Sequence, residues 1–278
     1  MTGHLLMYVD SGAPMTDYPD LDAKTKEFYA AAMSALSDSN VPYLVGGAYA
    51  YACYTGIKRH TKDLDLFLRA RHLDAALEIL DAAGYETEVT YPHWLAKVHD
   101  GDASVDLIFA SGNGLWNVDD TWFDRSDDYE VFDVDVRVCP AEEIVLMKAF
   151  IMERERFDGA DVAHLLRDVA TRLDWDHLLR TFGPHWRVLY GHLILFGYIY
   201  PSRRRVIPPR IMRAFARRLE REAQETFEDD VCRGTLLSRA QYLDDVENRG
   251  FQDAREWPMG SMTESEIEDW TAAINDDE

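Results

Sequence analysis

The chain has 278 residues, 47% hydrophobic and 29% charged, enough to bury one generous core or two small ones and too apolar for general disorder. Its formal net charge of -22 makes the molecule as a whole repel polyanions, so a nucleic-acid partner needs a local basic patch. Cys53, Cys139 and Cys232 are widely separated and show no Cys-x-x-Cys spacing, which predicts reduced, buried thiols rather than disulfides or zinc ligands.

Residues 1 to about 20 mix Gly, Pro and Asp without periodicity and read as a loosely held arm lacking a secretory signal, so a cytoplasmic protein is expected. Leu21 to Leu36 place Phe28, Ala31, Ala32 and Leu36 at helical spacing, ending at Ser37-Asp38-Ser39-Asn40. Val41 to Val45 is strand-like, Gly46-Gly47 follows, Ala48 to Tyr54 is helical, and Thr61 to Leu68 alternates as a half-buried strand. His72 to Ala83 predicts a helix closed by Gly84, and Tyr85 to Tyr91 a strand. The Asp100-Gly101 pair between Trp94–His99 and Ser104–Ala110 predicts a type I' hairpin with Asp106 on its second strand. One further strand, Tyr129 to Val138, closes the first lobe, and Asp133-Val134-Asp135 within it reads as a solvated edge.

Pro140 opens a helical region, with helices expected over Glu142–Arg156, Ala160–Arg172, Trp175–Phe182, Trp186–Tyr200 and Pro209–Thr226. The charge-free run Val188 to Ser202 is shorter than the roughly 20 residues that span a bilayer and reads as a buried helix. The predicted organisation is therefore a mixed α+β domain over 1–139, a helical domain over 140–260, and a flexible acidic tail over 261–278.

On an extended strand, residues two apart point the same way, so Asp63 and Asp65 present two carboxylates to one face, roughly 7 Å apart, while Leu64 and Leu66 face the core. Asp106 adds a third carboxylate. Hard oxygen ligands on rigid strands suit magnesium or manganese. Gly46-Gly47, between strand and helix, leaves backbone N–H groups open to an anion. Each element alone is a weak signal; their order and spacing carry the reading.

Gly46-Gly47, then Thr61-Lys62-Asp63-Leu64-Asp65-Leu66-Phe67, then Val105-Asp106-Leu107, resembles the polymerase-beta-like nucleotidyltransferase superfamily. Within it, the chain is similar to the minimal nucleotidyltransferases of toxin-antitoxin and abortive-infection systems, over roughly residues 25 to 170. The resemblance implies a small mixed β-sheet flanked by helices and metal-dependent transfer of a nucleoside monophosphate from a triphosphate. It implies Asp63, Asp65 and Asp106 as ligands of Mg2+ or Mn2+ and as catalytic carboxylates. It implies a nucleotide-contacting set of Gly46, Gly47, Lys62, Lys148, Asp158 and Asp161, with Lys148 a point charge on the triphosphate and also counted catalytic. Gly47 stands where many members carry serine, which removes a hydroxyl contact. The acceptor stays open between an RNA end, a protein hydroxyl and a small molecule, and a partner protein is a further expectation. A non-catalytic nucleotide-binding or antitoxin-like protein is the alternative.

Ser111-Gly112-Asn113-Gly114 lacks dinucleotide-binding spacing and reads as a loop. Arg203, Arg204, Arg205, Arg210, Arg213, Arg217, Arg218 and Arg221 concentrate positive charge. Either a phosphate-rich acceptor or the neighbouring glutamates Glu220, Glu222 and Glu225 and the acidic tail would neutralise them.

Overall fold

The computed structural model describes Tyr18 and residues 21–59, 61–225 and 230–272; the N-terminal arm expected over 1–20 lies almost wholly outside the described residues. The chain divides into two compact units, one formed by residues 1–90, 96–108 and 118–140 and the other by 91–95, 109–117 and 141–278.

The first unit is built on a seven-stranded mixed sheet. Its elements run α1 (Ala23–Asp38), β1 (Leu44–Val45), α2 (Gly47–Thr55), β2 (Asp63–Phe67), α3 (Leu73–Ala82), β3 (Glu86–Tyr91), β4 (Leu95–Asp100), β5 (Ala103–Ile108), α4 (Asp120–Asp124), β6 (Asp127–Val131) and β7 (Val134–Val138). The strand order is β3-β4-β5-β2-β1-β7-β6, with β2/β5 and β1/β7 parallel and β1/β2 and β6/β7 antiparallel. This is the α+β architecture expected. Helix α1 starts at Asp22, whose carboxylate caps the N–H of Thr25, and it buries Phe28, Tyr29, Ala32, Met33 and Leu36. Ala31, assigned to that stripe from periodicity, is exposed.

Two expectations in this unit are corrected. The strand expected over Tyr129–Val138 is a hairpin, because Phe132 and Asp133 both adopt positive φ, 53° and 63°, and reverse the chain. Asp133-Val134-Asp135 is therefore not at an edge: β7 is flanked by β1 and β6, although Asp133 and Asp135 are solvated. The loop between β4 and β5 is Gly101-Asp102, and only its first residue, Gly101, has positive φ, 65°, the pattern of a II' rather than a I' turn.

The second unit is helical: α5 (Ala141–Ala149), α6 (Gly159–Val169), α7 (Trp175–Phe182), α8 (Trp186–Ile199), α9 (Pro209–Glu222), α10 (Leu243–Asn248) and α11 (Glu264–Ala272), with a small parallel pair β8 (Val231–Cys232) and β9 (Gln252–Asp253). Helix α5 stops well short of the predicted Arg156. Met152 donates its N–H to Leu237 O, and the Glu153 carboxylate accepts from the N–H of Arg239, so tertiary bonds override a locally helix-favouring stretch. The stretch 261–278, expected as a flexible tail, contains α11, and residues 273–278 lie outside the described residues. Helix α8 buries Leu189, His192, Leu193 and Phe196 but exposes Ile194, Leu195, Tyr198 and Ile199, so it is not the buried helix its composition suggests. Among the described residues, no helix is long and apolar enough to cross a membrane. The three cysteines are free, Cys53 and Cys139 buried and Cys232 half-buried.

Candidate active site

The parallel pairing of β2 with β5 sets Asp63 beside Ser104 and Asp65 beside Asp106. Directly paired residues of neighbouring strands project to the same face, so the three acidic side chains share one side of the sheet while Leu64, Leu66 and Leu107 are fully buried. Thr61 Oγ1 donates to Asp63 Oδ1 at 2.5 Å, which orients that carboxylate.

Asp106 is 8% exposed. Burial, the largest influence, pushes its carboxyl above the ordinary carboxylate range; the Lys97 ammonium pulls the other way and Asp63 adds to the rise. Lys97, on the adjacent strand β4, places Nζ 2.9 Å from Asp106 Oδ1 and 3.1 Å from Oδ2. Burial would lower the Lys97 ammonium, but the charges of Asp106, Asp63 and Asp65 together outweigh it and raise it. Lys97 thus faces the whole acidic set. Sequence reasoning missed it because its place depends on the β4–β5 pairing; the Asp100-Gly101 turn, counted outward, was the available signal.

Gly46 caps α2 and donates its N–H to Asp65 O at 2.8 Å. That N–H belongs to the sheet and is not open to an anion, which corrects the expectation for Gly46. The first-turn N–H groups of Gly47, Ala48 and Tyr49 are those for which α2 itself offers no acceptor. Gly47 has φ +51°, and a Cβ there would lie 1.5 Å from Asp65 Oδ2; a Cβ at Gly46 would lie 1.9 Å from the Phe67 ring. Both glycines are therefore required by how closely the strand-to-helix bend approaches β2.

A polar cleft of about 340 Å3 is bordered by Lys24, Thr25, Thr61, Lys62, Asp100 and Asp102; of the predicted site residues, Lys62 alone lines it. A larger cleft of about 670 Å3, lined by Tyr43, Tyr129 and Arg137 among others, is bordered by none of the predicted site residues.

Among the described residues, no three His, Cys, Asp or Glu side chains are gathered closely enough to ligate one ion as they stand. The donor chemistry nonetheless fits a hard divalent cation: Asp63, Asp65 and Asp106 are carboxylates on one face, and an ammonium already balances them.

The remaining predicted residues lie in the second unit. Lys148 on α5 places Nζ 2.8 Å from both Asp158 Oδ2 and Asp161 Oδ2, and Arg156 also donates to Asp158. Asp158 stands at the N-cap position of α6 without capping it. Burial would raise its carboxyl, but the bonds and charges of Arg156 and Lys148 hold it below the ordinary range. The sequence-predicted trio Lys148, Asp158 and Asp161 is one ion-paired cluster.

A family described as uncharacterised nucleotidyltransferases matches residues 29–184, more than half of the chain. The chain belongs to that nucleotidyltransferase family. Solved structures similar to this nucleotidyltransferase include the lincosamide antibiotic adenylyltransferase LnuA bound to lincomycin (17% identity, 52% of this chain and 96% of that one, TM-score 0.38). Others are the antibiotic-resistance factor ANT(2'')-Ia (14%, 73% and 97%, 0.40) and an antigenic nucleotidyltransferase-like protein from Paracoccidioides brasiliensis (15%, 67% and 95%, 0.41). No match is found among curated proteins.

Proposed function

We propose that this nucleotidyltransferase is magnesium- or manganese-dependent and moves a nucleoside monophosphate from a nucleoside triphosphate to an acceptor hydroxyl. The observation that carries the reading is the in-register pairing of Asp65 with Asp106, with Asp63 on the same face and Gly47 against Asp65. Asp63, Asp65 and Asp106 would hold the divalent ion, which supplies positive charge for the triphosphate and the leaving pyrophosphate. The N–H groups of Gly47, Ala48 and Tyr49 and the ammonium of Lys62 offer donors to phosphate oxygens. Lys148, paired with Asp158 and Asp161 within the second unit, stays a proposed point charge for phosphate.

In the transfer, the acceptor oxygen bonds to the α-phosphorus and the bond from that phosphorus to the bridging oxygen of pyrophosphate breaks. The hydroxyl proton passes to a carboxylate of the set, for which Asp106 on β5 is the candidate. The acceptor class is left to experiment: an RNA end, a protein hydroxyl or an aminoglycoside-like small molecule.

The test is transfer of label from α-labelled nucleoside triphosphates in the presence of Mg2+ or Mn2+, alongside metal-nucleotide binding by calorimetry. Asp63→Ala combined with Asp65→Ala should abolish both. Wild-type-like metal-nucleotide binding by the double variant would overturn the site assignment.

A further inference from the structure

Strands β4, β5, β2 and β1 are consecutive neighbours in the sheet, and one row of residues crosses all four. Asp65 on β2 pairs with Asp106 on β5, and Gly46, just past β1, donates its N–H to Asp65 O. Counted back from the two-residue loop that joins β4 to β5, Lys97 is the residue opposite Asp106. The row therefore reads Lys97, Asp106, Asp65, Gly46, with neighbours about 4.8 Å apart. Asp106 has a carboxylate on one side and an ammonium on the other.

Both oxygens of Asp106 are engaged from the β4 side. Lys97 Nζ lies 2.9 and 3.1 Å from them, and the two side chains are only 27% and 11% exposed, so water does little to loosen the pair. Each carboxylate oxygen has two lone pairs, so Asp106 can keep Lys97 and still offer an oxygen on the Asp65 side. An ion held there by Asp63, Asp65 and Asp106 is compatible with the pair. An ion on the β4 side of Asp106 is not, because the ammonium stands in its place on a stem rooted in the sheet. Charge gives the same count. Before any phosphate arrives, three carboxylates are balanced by one ammonium and one divalent ion, and a second ion would put surplus positive charge beside the ammonium.

Phosphoryl-transfer sites that use two ions hold them about 3.5–4 Å apart, one for the attacking and one for the leaving oxygen. We propose that Lys97 takes the place of the second ion, so that this nucleotidyltransferase works with one divalent ion and a fixed ammonium. The inference rests on the reading of Asp63, Asp65 and Asp106 as the metal ligands. With two of its three N–H groups on Asp106, Lys97 keeps one donor for a substrate oxygen.

The test is titration of the metal-free full chain with Mn2+ alone, followed by electron paramagnetic resonance. The wild type should bind one Mn2+ per chain and show the spectrum of an isolated ion. Lys97→Met should bind two, with the spin-coupled signal of ions about 4 Å apart, and Lys97→Arg should return to one. Asp63→Ala with Asp65→Ala should bind none, which assigns the counted ions to this set. A spin-coupled pair in the wild type would overturn the proposal, an outcome that needs no variant to fold. So would a single ion in Lys97→Met whose circular dichroism matches the wild type. Absence of Mn2+ binding by the wild type and by Lys97→Met would instead remove the metal-site reading, and this inference with it.

Discussion

Lys97 Nζ sits between the two carboxylate oxygens of Asp106, at 2.9 and 3.1 Å, where β4 and β5 run side by side. The ammonium supplies the positive charge that a buried acid beside two further carboxylates needs when no other cation is bound. Removing it should be costly without metal and less so with metal. Lys97→Met is expected to lose about 3 kcal/mol of stability in EDTA, as for a buried pair broken on one side. Manganese with a nucleoside triphosphate should restore more of that loss than it adds to the wild type. Paired thermal melts with and without manganese check this; equal stabilisation of both proteins would refute competition between Lys97 and the metal.

Gly47 is the second point at which geometry commits the site. A serine there meets two obstacles: φ of +51° and a Cβ 1.5 Å from Asp65 Oδ2. The backbone term costs about 1–2 kcal/mol, and the overlap must swing the Asp65 carboxylate away. Gly47→Ser is therefore expected to lose roughly tenfold or more in metal-nucleotide affinity, in line with a second obstacle added to that strain. Calorimetric titration is the measurement, and unchanged affinity would show that Asp65 is free to rotate.

What could be read from the chain divides along the line between local and non-local causes. The Asp63–Phe67 strand and the hairpin that carries Asp106 were legible because period-2 alternation and a glycine turn are local signals. The β6–β7 hairpin was not, since its turn begins with Phe132, a bulky residue that rarely adopts positive φ. Lys97 looked like an ordinary strand lysine, because only cross-strand register brings it to Asp106. The early end of α5 depends on bonds from Leu237 and Arg239, residues distant along the chain. The Gly-Gly bend was legible as a strand-to-helix junction, but the commitment of the Gly46 N–H to Asp65 O needed the register of β1 on β2.

His192 offers a prediction in pH. It is 3% exposed on α8, with Nε2 3.0 Å from Ala149 O, and burial holds its imidazole below the usual 6.5, against the opposing pull of that carbonyl. A base with a lowered folded-state pKa keeps its full contribution above 6.5. It loses that contribution as pH falls from 6.5 towards the folded value, because the unfolded chain takes the proton first. The loss is at most about 1.4 kcal/mol per pH unit for one group. His192→Gln should flatten the stability–pH curve in that window, as measured by urea unfolding across mildly acidic pH. An unchanged slope would assign the dependence to another group, such as His185, which burial also lowers.

The ion pair of Arg255 with Asp253 sets the last prediction. The side chains are 1% and 3% exposed, with Nη2 2.6 Å from Asp253 Oδ2 and Nε 3.1 and 3.0 Å from the two oxygens, and Thr235 Oγ1 donates to the same carboxylate at 2.8 Å. Burial would raise the Asp253 carboxyl, but these donors outweigh it and hold it below the ordinary range. Its stabilising share is therefore present above the ordinary carboxylate pKa and lost as pH falls through the lowered value. Arg255→Met leaves the carboxylate buried without its cation and should cost about 3–5 kcal/mol at neutral pH. The double variant Arg255→Met with Asp253→Leu removes both charges and should recover much of that loss, since an apolar pair of similar volume avoids desolvating either ion. Urea unfolding of the wild type, the single and the double variant gives the comparison. A single-variant cost below about 1 kcal/mol, the range of exposed pairs, would mean that water reaches Asp253.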